Sequence, residues 1–162
     1  LGDVYKRQDS SREKICRAAA LHDVGKISIS DTILNKKGRL TDEEMEIMKT
    51  HTTKGYEIIR GFKLNDDEEQ ERYSLDIAKY HHERWDGKGY PEGLQGDEIP
   101  LWSQIVGIVD VYDALVSPRV YKKAFSHEKA MEMILAGECG TFNPILLECL
   151  KDAEELLKNE YK

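Results

Sequence analysis

Apolar residues recur along this chain at intervals of three and four rather than two, the spacing of a helix face and not of a half-buried strand. No convincing strand pair is present, so the pattern predicts an all-α fold. A first helix is expected over residues 11–23, with Ile15, Ala18, Ala19 and His22 sharing a face. Residues 25–39 read as irregular, closing in the turn-like Asn35-Lys36-Lys37-Gly38. Thr41-Asp42-Glu43-Glu44 is a capping box, in which hydroxyl and carboxylate satisfy opposing backbone donors. It predicts a helix carrying Met45, Met48, His51, Tyr56 and Ile59. The acidic run at 65–71 is a solvated loop or the polar start of the next helix, which continues through Tyr73, Ile77, His81 and His82.

Between Trp85 and Pro100 stand Gly87, Gly89, Gly93, Gly96 and Pro91, a density that stops any regular element. A loop this long inside a compact domain, ordered or disordered, points to function. Helices resume over 100–116, 126–136 and 144–158. Asn143 as N-cap and Pro144 in the first turn mark the start of the last, with Leu146, Leu150, Ala153 and Leu157 as its buried stripe.

The 162 residues suffice for one domain with a sizeable core. The longest nearly apolar stretch, residues 105–111, is far short of the roughly 18 to 20 that span a bilayer. Against 31 acidic residues there are 24 basic ones, a net charge of −7 that disfavours a nucleic-acid polymer while leaving a small phosphate-bearing ligand open. Three cysteines, Cys16, Cys139 and Cys149, form no CxxC pair, so a reducing cytoplasm is the simplest setting and each reads as a buried small hydrophobe. The opening Leu1-Gly2-Asp3-Val4, without an initiator Met, suggests a fragment of a longer reading frame.

Polar residues that interrupt apolar helical faces carry the chemistry, because burying an unpaired charge or imidazole is costly. His22 and Asp23 follow an apolar run, His51 falls on an apolar helix side, His81 and His82 project about 100° apart, and Asp110 sits inside 105–111. Each alone has a plainer reading, as a hydrogen-bonded core histidine or a carboxylate paired with arginine. Four His and two Asp together match a mixed nitrogen and oxygen shell for Fe, Mn, Zn or Co, and two metal sites sharing a carboxylate would need about this many ligands. His127, at a helix start, reads as solvated. Lys26 and Arg119 lie beside these segments and suit a phosphate, whereas Lys122 and Lys123 also fit a solvated face. No dinucleotide, P-loop or nucleophile-elbow signature is present.

His22-Asp23-Val24-Gly25-Lys26-Ile27, His51, His81-His82-Glu83-Arg84-Trp85-Asp86-Gly87, Gly89-Tyr90-Pro91 and Asp110-Val111-Tyr112-Asp113-Ala114-Leu115 together resemble the HD-GYP subclass of the HD phosphohydrolase superfamily, over about 18–150. The resemblance implies an all-α HD-type helical bundle with a long Gly/Pro-rich loop and a centre of two or three divalent transition metals, Fe or Mn. The implied activity is hydrolysis of cyclic di-GMP to pGpG and/or GMP. Carried over, the metal ligands are His22, Asp23 as bridge, His51, His81, His82 and Asp110. Lys26 would contact the scissile phosphate, and Tyr90, Arg119 and Lys122 would hold the guanine nucleotide.

Two departures stand out. Family members usually carry a further His on an upstream helix, but only 21 residues precede His22 here and none is His. The usual Phe-Asp-Pro reads Phe142-Asn143-Pro144, where Asn still serves as an N-cap. The expectation is an HD-GYP-like domain at 11–162 lacking one N-terminal helix, with 1–10 unassigned. It would be the cytoplasmic output of a signalling protein whose sensor or receiver module is missing, with a homodimer open to it. The rival readings are a non-catalytic module that binds a nucleotide or protein, and an HD phosphohydrolase acting on another nucleotide.

Overall fold

The computed structural model describes residues 2–62, 67–118 and 124–160. Among these the elements are helical: α1 (Gly2–Ala19), a 3-10 turn (Val24–Ser28), α2 (Asp31–Leu34), α3 (Asp42–Lys49), α4 (His51–Phe62), α5 (Glu68–Tyr80), a second 3-10 turn (Gly96–Glu98), α6 (Leu101–Val116), α7 (His127–Leu135), α8 (Pro144–Asp152) and α9 (Glu154–Glu160). No strand forms among the described residues beyond one isolated bridge between Asp86 and Gln95. The all-α expectation is therefore met. No described helix is long and apolar enough to cross a membrane.

Several boundaries follow from caps visible in the sequence. Thr41 Oγ1 accepts from the Glu44 N–H at 3.3 Å while Glu44 Oε2 accepts from the Thr41 N–H at 2.7 Å, starting α3. Asp67 caps α5 by accepting from Glu69 and Gln70, so the acidic run is in part the polar start of that helix; Asn65 and Asp66 lie outside the described residues. Asn143 caps α8 with Pro144 in its first turn.

Four helices differ from expectation, the shortest being α2, which forms inside the segment read as irregular because Ser30 caps it by accepting from the Thr32 N–H. The first begins at Gly2 and stops at Ala19, where the chain tightens into i→i−3 bonds, Leu21 to Ala18 and His22 to Ala19. The helix begun at Thr41 divides at Thr50. There the Thr50, Thr52 and Thr53 hydroxyls bond carbonyls three residues back, competing with the backbone ladder and placing His51 at the start of α4. The last expected helix also divides, at Ala153.

Two apolar cores result. Ala18, Tyr73, Ile77 and Val106 join α1, α5 and α6, with the Trp102 ring 4.5 Å from Tyr73. Ile108, Tyr112, Leu115, Ala130, Met131, Ile134, Phe142 and Leu150 join α6 to α7, α8 and the segment between them. Each fully buried large apolar side chain contributes about 1.5–3 kcal/mol. Cys16 and Cys149 are exposed and Cys139 only partly covered, so the buried-hydrophobe reading of the cysteines fails. His127 is not solvated either. Its ring sits between α6 and α9, Nδ1 2.7 Å from the Tyr112 hydroxyl and Nε2 3.4 Å from Glu154 Oε1.

Residues 85–100 form an ordered loop. The buried Glu83 carboxylate accepts from the N–H groups of Glu92, Gly93 and Leu94 at 2.8, 3.1 and 3.0 Å. The Trp85 N–H donates to the Thr141 carbonyl at 2.9 Å, and the Thr141 hydroxyl donates to Asp86 Oδ2 at 3.1 Å.

Candidate metal centre

The tight turns after α1 throw His22 and Asp23 inward off the end of that helix. His51 heads α4, His81 caps the C-terminus of α5 with His82 just beyond it, and Asp110 projects from the middle of α6. Two glycines let these elements meet. A Cβ on Gly25 would lie 1.9 Å from the His51 carbonyl oxygen, and one on Gly107 would lie 2.5 Å from that of His81. Neither position accepts a side chain without displacing a histidine-bearing segment.

Asp23 is the hub. Its Oδ1 lies 3.4 Å from His51 Nε2 and 3.9 Å from His81 Nε2, and its Oδ2 lies 3.3 Å from His22 Nε2 and pairs with the Lys26 ammonium. His22 Nε2 is also 3.6 Å from Asp110 Oδ1. One ligand atom from each of Asp23, His51, His81 and His82 falls within 4.8 Å of all the others, a group that could hold a metal ion. The His82 ring stacks on Tyr90, centroids 4.8 Å apart.

The tautomers are set from behind. Nδ1 of His22, His51 and His81 sits 2.7, 2.8 and 2.8 Å from the carbonyls of Ala19, Met48 and Ile77, and only an N–H can satisfy a carbonyl there. A neutral ring so fixed presents a lone pair on Nε2, and the His51 and His81 Nε2 atoms stand 3.5 Å apart. Asp23 Oδ1 is buried and accepts no hydrogen bond. Acceptors converging without a donor are costly in a buried site, and a cation among them removes that cost. The donor set therefore fits a metal.

Electrostatics separate three of the rings from the fourth. Burial pushes His51 down, takes His81 down to about 4 with help from the His22 charge, and takes His82 down to about 2, with His81 and His51 adding to it. These rings are neutral, as ligands must be. Burial would lower His22 as well, but the Asp110 and Asp23 carboxylates outweigh it and raise it to about 10, so His22 is an imidazolium between those carboxylates and would have to release its Nε2 proton to ligate an ion. Burial would raise Asp23 and Asp110, and yet both are held below the usual carboxylate range, Asp23 by His22 and Lys26 and Asp110 by His22.

The HD domain family model matches residues 1–142. The chain belongs to the HD domain family. Its match to a Vibrio cholerae protein named cyclic di-GMP phosphodiesterase is 44% identical over 144 residues, 88% of this chain and 29% of that protein. A Thermotoga maritima protein of the same name is 43% identical over 145 residues, 90% of this chain and 38% of that one. A 3'3'-cGAMP-specific phosphodiesterase 2 from Vibrio cholerae is 41% identical over 150 residues, 93% and 28% of the two chains. This HD domain chain thus spans well under half the length of these relatives.

The six expected ligand residues are brought together, with Lys26 and Tyr90 beside them. Arg119 and Lys122, expected to hold nucleotide, lie outside the described residues, as does Lys123. Sequence reasoning assigned no role to Glu83 or Arg84. Glu83 anchors the loop that carries Tyr90, and Arg84 donates to the carbonyls of His81 and Glu83 and lies over Phe142. A glutamate directly after two histidines at the head of a Gly-rich loop was the available signal.

Proposed function

We propose that this HD domain is a metal-dependent phosphodiesterase for cyclic dinucleotides, with cyclic di-GMP as substrate and pGpG and/or GMP as product. The observation that carries the reading is the buried, donor-less Asp23 Oδ1 facing imidazole lone pairs locked by backbone carbonyls. His22, Asp23, His51, His81, His82 and Asp110 would hold two or three divalent transition ions, iron or manganese, with Asp23 as the shared ligand. When bound, such ions supply Lewis acidity toward phosphoryl oxygens and an acidified water for attack. Lys26, 38% exposed and paired with Asp23, would donate to a phosphate oxygen. Tyr90, stacked on His82, offers a flat wall for a base.

The greater length of its relatives supports reading the domain as the cytoplasmic output module of a larger bacterial signalling protein. A relative named for 3'3'-cGAMP favours a second reading, the mixed dinucleotide as substrate. Metal analysis and hydrolysis assays on both dinucleotides test the assignment. Asp23→Ala and His82→Ala are each expected to lower bound metal below one ion per chain and turnover by about a thousandfold or more, about 4 kcal/mol of barrier. Retained turnover in either variant sinks the proposal.

A further inference from the structure

Three of the four imidazoles at the centre are aimed by a carbonyl behind the ring, and His82 is the exception. Among the described residues no hydrogen bond holds its ring, which lies against the rings of His81, Tyr90 and His51, centroids 4.1, 4.8 and 5.1 Å away. The aim of such a ring is set by its own backbone, and that backbone is held by Arg84.

Arg84 Nη1 donates to the carbonyls on either side of His82, that of His81 at 3.3 Å and that of Glu83 at 2.9 Å. Both lie just past the last turn of α5, where a cation complements the helix end. Burial works against the guanidinium charge, and no carboxylate among the described residues forms an ion pair with it. A half-buried cation left to carbonyls is costly, so packing by itself does not account for an arginine here. The surroundings are cut to fit it. Gly140, at φ +109°, leaves a gap in which a Cβ would stand 2.7 Å from Arg84 Nε, and a Cβ on Gly107 of α6 would stand 3.8 Å from Nη1. The guanidinium lies over Phe142, 5.1 Å from the ring centre, and Phe142 is rooted in the larger core.

We propose that Arg84 is the positioning residue for His82. It spans the two carbonyls that flank His82 and ties them to a side chain of the opposite core, doing for the fourth ring what a carbonyl does for the other three. The planar fork is needed because the group must hydrogen-bond at its edge and stack on Phe142 with its face, which an ammonium does not do. The assignment rests on the metal-binding reading above and concerns ion affinity and ligand direction, whatever the substrate.

The test measures Mn²⁺ affinity by calorimetry and the visible absorption of the Co²⁺-loaded chain, whose band follows the direction of the ligands. In Arg84→Met, affinity should fall about tenfold, the usual scale for a group that orients a metal ligand, and the cobalt band should shift. Arg84→Lys keeps the charge without the fork and should lose about fivefold, with a shifted band. Thr141→Val removes the Thr141 hydroxyl bond to Asp86, loosening the same segment without touching the guanidinium; it should stay within twofold of wild type with an unmoved band. Arg84→Met within twofold of wild type with an unmoved band would overturn the role, as would a loss in Thr141→Val equal to that in Arg84→Met. Should Arg84→Met fail to fold, Arg84→Lys decides in its place, and wild-type affinity and band there overturn the role. A wild type that binds neither Mn²⁺ nor Co²⁺ would instead bring down the metal-centre reading, and this role with it.

Discussion

The two sides of α6 face different chemistry. Toward α7 and α8, its Ile108, Tyr112 and Leu115 enter a core of eight buried residues held by apolar packing. Toward α1, α4 and α5 the buried apolar set is half that size, Ala18, Tyr73, Ile77 and Val106, and the space beside it is filled by Asp23, Asp110 and four imidazoles. Packing energy is non-directional and present whenever the chain is folded. Converging acceptors cost free energy until something neutralises them. One half thus supplies stability and the other spends some of it on a site, with a single helix serving both.

That contrast can be broken or sharpened by experiment. The largest effect on stability should come from Ile134→Ala. Ile134 is completely buried in the larger core, and its truncation should cost about 2–5 kcal/mol in denaturant unfolding. Metal content per folded chain should not change; loss of metal in this variant would mean that the halves are one unit. Chelation should act on the other half. At free ion about 100 times Kd the bound state gains about 2.7 kcal/mol, so EDTA should lower the melting temperature. Hydrogen exchange should then quicken at 22–29, 51–59 and 77–82 and stay slow in α7 and α8. The smallest of the three effects is Gly25→Ala, whose Cβ has no room beside the His51 carbonyl. Overpacking of about 1–3 kcal/mol is expected, together with fewer ions per chain and unaltered exchange in α7.

Much of this was legible in the sequence. Caps are local, so Thr41 with Glu44 and Asn143 with Pro144 located helix starts directly. That the candidate ligands would cluster was legible because imidazoles and carboxylates on apolar faces demand partners, and in the fold they are one another's neighbours. What stayed hidden depends on contacts between distant segments. His127 looked solvated because Tyr112 and Glu154 reach it only in the folded chain. Cys16 and Cys149 are apolar enough for a core but fall on outward helix faces. The break at Thr50 turned on three hydroxyls bonding backward, a competition that apolar periodicity does not register.

The carbonyl clamps behind His22, His51 and His81 have one more consequence. An imidazole on a free rotamer surrenders about 0.5–1.5 kcal/mol of freedom when something immobilises it. Here each ring is tied to the turn of backbone just before it, so that freedom is surrendered as the helix ends form and not when an ion arrives. Capture of the ion then requires little rearrangement of the protein. Exchange at the site should accordingly be governed by the water an ion must shed, and its rate should track the hydration of the ion more than any motion of the chain.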